Sequence, residues 1–480
     1  MTEHDPALKK AALTGILVVA IILRFFNLGL QSLWYDEIVT LQISSHTFLE
    51  IWGYMMGGEY NPPLFYWVAH YALPILGGSE FGLRFVPMIF GILAIIPTYY
   101  LGKRIGGMWT GMGAAWMMTL SSYAIFYSQE ARTYSLVLLL MTAGLYFYLG
   151  ALETNRTRDW ALAVLLFVLS VWAHFYVMVF LAVAFAGTPL ILGKPLNRNV
   201  LTWWAMIGFG SLPIIGTAAG LAVLRATTNV PWGYQGLDVL VESYIEAAGA
   251  FFPVSIIFIA LIVFSLVGKP DRRKVFLLAY SFIPLLIGIP VSYYISIVPR
   301  YFIEMSAPLY IIIADGWEPF SDLSGFGAYL KKMRPIRWKQ ARQVGAVLFL
   351  GLISLNLVTL PNYYAFSAKD DWRDFAKDVG NVTAPGDAVV SVPGYRVDAE
   401  MWYYYDNRSD GTFVYPAYNI SEVKEACRHT DGTCWVILTP DTVGKFWEFM
   451  ANGWVSQHGV HIIDKPWYLH LYRLGREWYV

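Results

Sequence analysis

Long apolar runs separated by short polar segments fill the chain from its N-terminus to about residue 361. A helix needs about 20 mostly apolar residues to span a bilayer. Eleven runs approach or exceed that length, at about 11–30, 82–102, 108–127, 133–152, 160–173, 175–193, 200–223, 247–267, 275–296, 302–317 and 343–361. The fifth and sixth form one apolar stretch, which we divide near His174. The pattern predicts an α-helical polytopic membrane protein with about eleven transmembrane helices.

The pattern changes after the last run. Charged residues, Gly-Pro turns and short apolar stretches alternate from residue 365 to residue 480. The segment "DWRDFAKDV" has the spacing of an amphipathic helix, and "DAVVSV" and "CWVILT" read as short buried strands. We therefore expect two parts: residues 1–361 as a transmembrane domain with a large loop at 31–80, and residues 365–480 as a small soluble α/β domain.

Charge distribution indicates the orientation. The chain is 57% hydrophobic and 14% charged with no net charge, so nothing in the total points to a nucleic-acid partner. Lys and Arg are concentrated in alternate connections, for example at residues 269–274 and 331–342. Such connections usually face the cytoplasm. We therefore expect a multi-pass protein of the cell membrane, with a cytoplasmic N-terminus and an extracytoplasmic C-terminal domain.

The only two cysteines lie in that C-terminal domain. Cys427 and Cys434 stand in "CRHTDGTC". Disulfides form on the oxidising side of a membrane, so we expect this pair to be bonded, with two free thiols as the alternative. Two cysteines without suitably spaced histidines give little support to a zinc site.

The large loop at residues 31–80 carries the first candidate chemistry. Asp36 and Glu37 follow the first apolar run directly. Further along, Pro62 and Pro63 break the helical pattern and place a polar turn before them, made of Glu59, Tyr60 and Asn61. The loop also contains amphipathic pieces typical of helices that lie on a membrane surface.

Three further polar features fall on the same predicted face. They are the segment Gln129–Glu130–Ala131–Arg132 with Tyr134, the single His174, and Arg300 with Tyr301 at the start of the tenth run. Each has an ordinary structural explanation, such as a Glu130–Arg132 ion pair or a histidine satisfied in the core. Ionisable groups at membrane depth are costly and usually functional. Their shared face therefore indicates a functional site.

These motifs in this order resemble the GT-C superfamily of polyprenyl-phosphate-sugar-dependent glycosyltransferases. Within it, the chain is most similar to the protein O-mannosyltransferase and lipid A aminoarabinose transferase group. The likeness is carried by Asp36-Glu37, Pro62-Pro63-Leu64, the Gln129–Arg132 segment with Tyr134-Ser135, His174 before an aromatic residue, and Pro299-Arg300-Tyr301. It covers roughly the first 310 residues. Beyond them it is architectural only.

The resemblance implies a sugar donor on an undecaprenyl- or dolichyl-type phosphate, and an acceptor hydroxyl on a protein, glycan or glycolipid. A carboxylate can take the proton of the attacking hydroxyl, and Asp36 is our candidate, giving inversion at the anomeric carbon. Arg132 and Arg300 are the candidates for gripping the phosphate. The remaining carboxylates and His174 would orient these groups or bind sugar hydroxyls. We expect catalytic roles for Asp36, Glu37 and Glu130, and substrate binding by Glu59, Tyr60, Asn61, Arg132, Tyr134, His174, Arg300 and Tyr301.

A divalent metal is the one cofactor that the resemblance leaves open, with Glu59 and His174 as its candidate ligands. Aminoarabinose transferases carry Glu-Lys before the two prolines, and the Glu helps to hold a metal. This chain has Tyr60-Asn61 there, with Glu59 one position earlier. Metal binding therefore does not transfer directly from the motif.

Three other classes of membrane protein fit the sequence less well. A lipid or solute transporter, or flippase, should show inverted repeats and polar groups deep in several helices, and we see no such repeat. A non-catalytic partner-binding protein leaves the polar loops unexplained. A peptide-acceptor oligosaccharyltransferase usually carries Trp-Trp-Asp, whereas Trp203-Trp204 is followed here by Ala205.

Overall fold

The computed structural model describes most of the chain. The described residues are 6–57, 61–228, 234–248, 252–266, 271–317, 351–358, 360–361, 363–365, 369–405, 413–439, 446–465 and 469–479. They form two compact units. The first comprises Met1–Leu28, His46–Gly77 and Gly82–Ala365, and the second comprises Gly29–Ser45, Gly78–Phe81 and Phe366–Val480. One boundary between the units falls between Ala365 and Phe366, and residues 31–80 are divided between the two units.

Helices dominate the chain up to residue 317. Their bounds are α1 Pro6–Phe25, α2 Tyr35–Ser44, α3 Phe48–Met56, α4 Leu64–Leu76, α5 Glu80–Leu93, α6 Ile95–Gly106, α7 Met108–Leu120, α8 Ser122–Ser128, α9 Tyr134–Thr154, α10 Thr157–Ala173, α11 Val177–Leu190, α12 Arg198–Thr228, α13 Asp238–Ala247, α14 Phe252–Leu266, α15 Arg272–Val291 and α16 Ser306–Trp317. A 3₁₀ helix, Pro299–Met305, precedes α16.

Several of these helices are long and apolar enough to cross a bilayer. Among the described residues they are Glu80–Gly106, Tyr134–Thr154, Arg198–Gly220 and Arg272–Val291, and Leu64–Leu76 and Val177–Leu190 are shorter apolar helices. The protein is therefore a membrane protein with several spans. Residues 343–350 and 359 of the predicted run at 343–361 lie outside the described residues, so the count of about eleven stays a prediction.

Two predicted runs are interrupted for visible reasons. The run at 108–127 becomes α7 and α8, because Ser121 leaves the helical conformation and its Oγ accepts a hydrogen bond from the backbone N–H of Ala124 at 3.1 Å. The run at 302–317 opens as the 3₁₀ helix, with Phe302 outside helical geometry, before α16 begins. The second break lies beside Pro299-Arg300-Tyr301, and α8, which follows the first break, ends directly before Gln129.

The second unit contains a mixed five-stranded sheet. Its strands are β1 Ala388–Val392, β2 Phe413–Pro416, β3 Cys434–Leu438, β4 Gly459–Lys465 and β5 Leu469–Leu474, in the order β2-β1-β3-β5-β4. The β1 strand pairs in parallel with β2 and β3, whereas β5 is antiparallel to β3 and β4. The two predicted strands are β1 and β3.

Helices cover both faces of this sheet. They are α17 Trp372–Val382, α18 Gly394–Tyr404, α19 Ile420–Arg428 and α20 Phe446–His458. Side chains of α17 and α18 pack with Val389 and Trp435 on one face, and those of α19 and α20 pack with Val390 and Val436 on the other. Burial on both faces explains why β1 and β3 read as continuous apolar runs. The predicted amphipathic helix "DWRDFAKDV" forms most of α17.

Cys427 at the end of α19 and Cys434 at the start of β3 are fully buried and joined by a disulfide, with their Cα atoms 5.3 Å apart. The bond closes the turn between a helix and a central strand. The helix α2, early in the chain, also belongs to this unit and packs against α18.

Candidate functional site

The short connection between α8 and α9 is held from several sides. The Gln129 side-chain amide donates hydrogen bonds to the carbonyl oxygens of Arg24 (2.9 Å) and Phe26 (2.8 Å), and its oxygen accepts one from the Tyr363 hydroxyl at 2.9 Å. Glu130 and Arg132, which follow it, are buried. Gln129 therefore acts as an anchor, and the two charged residues after it have fixed positions.

A second hydrogen bond holds His174 beside the connection between α8 and α9. The Thr133 hydroxyl donates a hydrogen bond to the carbonyl oxygen of Ala173, the last residue of α10, at 3.0 Å. His174 then takes an extended conformation between α10 and α11 and is 6% exposed. Its ring centre lies 5.9 Å from that of Tyr134 and 5.1 Å from that of Tyr301.

The 3₁₀ helix completes the arrangement. The Tyr123 hydroxyl of α8 donates a hydrogen bond to the carbonyl oxygen of Pro299 at 2.9 Å. The next residue, Arg300, places its guanidinium carbon 5.9 Å from the centre of the Tyr134 ring. Arg132 and Arg300 both interact electrostatically with Tyr134 and with His174. We call Arg132, Tyr134, His174, Arg300 and Tyr301 the arginine cluster. All five belong to the motifs that the sequence displays, and the structure brings them together.

Glu246, near the end of α13, is a neighbour that sequence analysis missed. The half-buried α13 packs against the 3₁₀ helix, and the Glu246 carboxyl accepts a hydrogen bond from the Tyr127 hydroxyl. Burial raises the pKa of Glu246 to about 7, opposed by the positive charge of Arg300 and reinforced by Glu242 and Glu130. Glu246 shares its helix with Asp238 and Glu242, and acidic residues spaced in this way are typical of a solvated helix face, so the sequence alone does not single it out.

Glu304, on the 3₁₀ helix, is a second carboxyl that was missed. It is 1% exposed, and neither of its carboxyl oxygens makes a hydrogen bond to another residue that the structure describes. It interacts electrostatically with Tyr123, Tyr176 and Tyr280. An acidic side chain inside the apolar run 302–317, which also holds Asp315, was the available signal, since such a residue is expensive at membrane depth.

The acidic pair Asp36-Glu37 opens α2 and therefore belongs to the second unit. Glu37 is fully buried, and its Oε2 atom lies 2.8 Å from the Nζ atom of Lys369. That buried ion pair gives Glu37 a structural role within its unit. Asp36 is half-buried, and its carbonyl oxygen accepts a hydrogen bond from the Thr40 hydroxyl at 2.9 Å. The two neighbouring carboxylates thus have different surroundings.

The polar turn before the prolines is described only in part. Glu59 and Tyr60 lie outside the described residues, whereas Asn61 is half-buried. Pro63 is the N-terminal cap of α4. Within the described part of the chain no group of three His, Cys, Asp or Glu side chains is placed to hold a metal ion. A metal at His174 would thus lack the ligands it needs among the residues that the structure describes.

Known proteins share parts of this chain's sequence. A family model described as dolichyl-phosphate-mannose-protein mannosyltransferase matches residues 60–216, a range that contains Arg132, Tyr134 and His174. An uncharacterized protein of Aquifex aeolicus (strain VF5) is 32% identical over 101 residues, which are 19% of this chain and 20% of that protein. The chain therefore matches about a fifth of the length of that relative.

Solved structures match nearly the whole chain. ArnT from Cupriavidus metallidurans in the apo state has a TM-score of 0.61 at 12% identity, covering 98% of this chain and 99% of that one. The same protein bound to undecaprenyl phosphate has a TM-score of 0.59 at 12% identity, over 97% and 98%. The archaeal oligosaccharyltransferase AglB from Archaeoglobus fulgidus, in complex with an inhibitory peptide and a dolichol-phosphate, has a TM-score of 0.60 at 11% identity, over 99% of this chain and 75% of that one.

The family model and the structural matches agree with the motifs that the sequence displays. The resemblance is therefore confirmed, and this chain has the fold of the GT-C glycosyltransferases.

Proposed function

We propose that this protein transfers a sugar from a polyprenyl-phosphate donor to an acceptor hydroxyl at the extracytoplasmic face of the membrane, with inversion. The observation that carries the proposal is the arginine cluster. Two arginines from distant segments share Tyr134 and His174 as neighbours, at the ends of apolar helices. ArnT has been crystallised with undecaprenyl phosphate, and a structure of AglB has been solved in complex with a dolichol-phosphate. A lipid-linked phosphate is the ligand we assign here.

The cluster suits a phosphate that is also a leaving group. A guanidinium presents several N–H donors in a fixed plane and can grip two phosphate oxygens at once. Charge that develops on the phosphate during bond cleavage is stabilised by donors that are already in place. Glu130 and Glu246 lie close enough to offset part of the positive charge. We expect this balance to let the lipid phosphate leave after the reaction.

The reaction requires one base. The acceptor oxygen forms a bond to the anomeric carbon while the bond from that carbon to the phosphate oxygen breaks. The electron pair stays on the lipid phosphate, and the acceptor proton passes to a carboxylate. We assign the role of proton acceptor to Asp36, because the Glu37 carboxylate already forms an ion pair with Lys369. The sugar is a hexose or a pentose in this proposal.

No step of this proposal passes through a metal ion. The described residues offer no set of three ligands, and Glu59 lies outside them. The arginines supply the positive charge that a metal would otherwise bring to the phosphate.

Transfer at the extracytoplasmic face requires a particular orientation. We propose a cytoplasmic N-terminus, so that residues 365–480 are extracytoplasmic and the basic stretch 331–342 is cytoplasmic. Single cysteines placed at Lys331 and at Lys424, in a chain lacking Cys427 and Cys434, test this with a membrane-impermeant thiol reagent on intact cells. Labelling at position 424 alone is expected. Labelling at position 331 alone would show that the protein has the opposite orientation.

Transfer itself can be measured with purified protein in lipid nanodiscs. Given a polyprenyl-phosphate sugar and a mixture of acceptor glycans and peptides, the protein should release the lipid phosphate and produce a glycosylated acceptor. The Arg300→Gln variant is the matched inactive control. A protein that moves the donor between leaflets of a liposome without releasing lipid phosphate would be a flippase instead.

A further inference from the structure

A pocket within the second unit is not used by the proposed chemistry. It encloses about 650 Å³ and is lined by Glu80, Arg373, Trp402, Tyr403 and Tyr404, among others. Ligand pockets of a few hundred Å³ usually combine aromatic walls with a few fixed polar groups. This pocket has both, and the residues named come from the first turn of α5 and from α17 and α18.

The polar part of the pocket is an organised ion pair. Two guanidinium nitrogens of Arg373, Nη2 and Nε, lie 2.5 and 3.1 Å from Oε1 of Glu80. The Tyr404 hydroxyl donates to the same oxygen at 3.0 Å. It also accepts a hydrogen bond from the backbone N–H of Leu33 at 2.6 Å. The charges of Glu80 and Arg373 cancel, so this lining carries hydrogen-bonding groups without a net charge.

The aromatic part is fixed in the same way. The Tyr403 hydroxyl donates a hydrogen bond to the carbonyl oxygen of Gly78 at 2.9 Å, and its ring stands perpendicular to that of Tyr404 with centres 4.6 Å apart. Trp402, the third aromatic residue, leaves 45% of its surface exposed. An exposed indole costs hydrophobic free energy that a bound ligand would recover. Tyr403 and Tyr404 are therefore held in place, and Trp402 leaves part of its surface open to a ligand.

We propose that this pocket binds a neutral sugar ring of an acceptor glycan. The axial hydrogens of a sugar present an apolar face that stacks on an indole. Its hydroxyls suit a carboxylate and a guanidinium held in fixed geometry. A phosphate or a sugar acid would meet an arginine whose charge Glu80 already neutralises. In naming the acceptor, this inference rests on the transfer proposed above; the binding site itself does not.

The test is a glycan array of neutral and anionic oligosaccharides, probed with the labelled full chain in detergent. Wild-type protein should bind one or more neutral glycans, and Trp402→Ala should weaken that binding about tenfold, as expected for a lost stacking contact. Trp478→Ala is the matched control, because Trp478 is in the same unit, is 39% exposed and does not line the pocket. It should bind like the wild type.

A variant that changes the net charge of the pocket tests whether its neutrality selects neutral sugars. Glu80→Gln keeps the shape of the side chain but leaves the positive charge of Arg373 without its partner. The variant should lose affinity for neutral glycans and gain affinity for sulfated or sialylated ones. The pocket proposal is overturned if no neutral glycan binds, or if Trp402→Ala binds like Trp478→Ala.

The two proposals fail in different ways. A wild-type protein that binds neutral glycans but never releases lipid phosphate from a donor refutes the transfer and supports the pocket. If the wild-type protein releases lipid phosphate but Trp402→Ala changes neither glycan binding nor the KM for a glycan acceptor, the transfer is supported and the pocket proposal is refuted.

Discussion

The guanidinium carbon of Arg300 lies 5.9 Å from the centre of the Tyr134 ring, and both residues neighbour His174. A guanidinium over an aromatic face is held in one plane, which prepares it for bidentate contact with a phosphate. The contact joins the 3₁₀ helix to the start of α9. It therefore links two parts of the chain that carry the proposed phosphate site.

Replacing Arg300 by Lys should weaken donor binding despite the retained charge. A lysine loses the planar fork and the stacking on Tyr134, and we expect about a tenfold loss of affinity for a polyprenyl-phosphate sugar. Binding to purified protein in nanodiscs measures it. Arg158→Lys, at an exposed position of α10, is the control and should bind normally. Equal affinities for Arg300→Lys and Arg158→Lys would remove Arg300 from the phosphate site.

Asp36→Asn should separate the chemical step from binding. Loss of a general base typically lowers the rate by about 10²–10⁴-fold, whereas the amide preserves the size of the side chain. We expect transfer to fall by that order and donor affinity to change far less. Asp374→Asn, at an exposed position of α17, is the control. An Asp36→Asn enzyme with a substantial fraction of wild-type turnover would move the role of base to another carboxylate.

Glu37 should behave as a structural residue. Its side chain is fully buried, and that of its partner Lys369 is 6% exposed. Removing one partner of a buried ion pair typically costs about 3–5 kcal/mol. Both Glu37→Gln and Lys369→Met should therefore lower the unfolding temperature of the full chain. The double variant should be more stable than the sum of the two losses predicts. Additive losses would show that the pair is not coupled.

Donor affinity should depend on pH through Glu246. The pKa of this carboxyl is raised to about 7, so it is neutral below that pH and negative above it. The donor is a phosphodiester and keeps one negative charge throughout. As the pH falls through about 7, a repulsive charge beside Arg300 disappears, and the donor should bind more tightly. Glu246→Gln is neutral at every pH and should show a flatter profile. An unchanged profile in that variant would assign the dependence to another group.

The sequence was most informative where one local pattern decided the structure. Apolar length predicted membrane helices, and fully apolar runs predicted β1 and β3. The helix breaks at His174 and before Arg300 lay at the ends of apolar runs, so both side chains could be placed at one face. Contacts between residues that are far apart in the sequence could not be predicted from a local pattern. Glu246 reaches Arg300 only because α13 packs on the 3₁₀ helix, and the partner of Glu37 lies 332 positions along the chain.

The membership of residues 29–45 in the second unit has a consequence for how the protein is made. The helix α2 is synthesised early, but Lys369 leaves the ribosome 332 residues later. At typical rates of about 5–20 residues per second that interval is roughly 20–60 seconds. Until then the Glu37 carboxylate must stay in water or be held by a chaperone, and a truncated chain never supplies its partner. A recombinant fragment that starts at residue 366 likewise lacks α2. To fold as it does here, such a fragment needs that helix added back, for example through a linker.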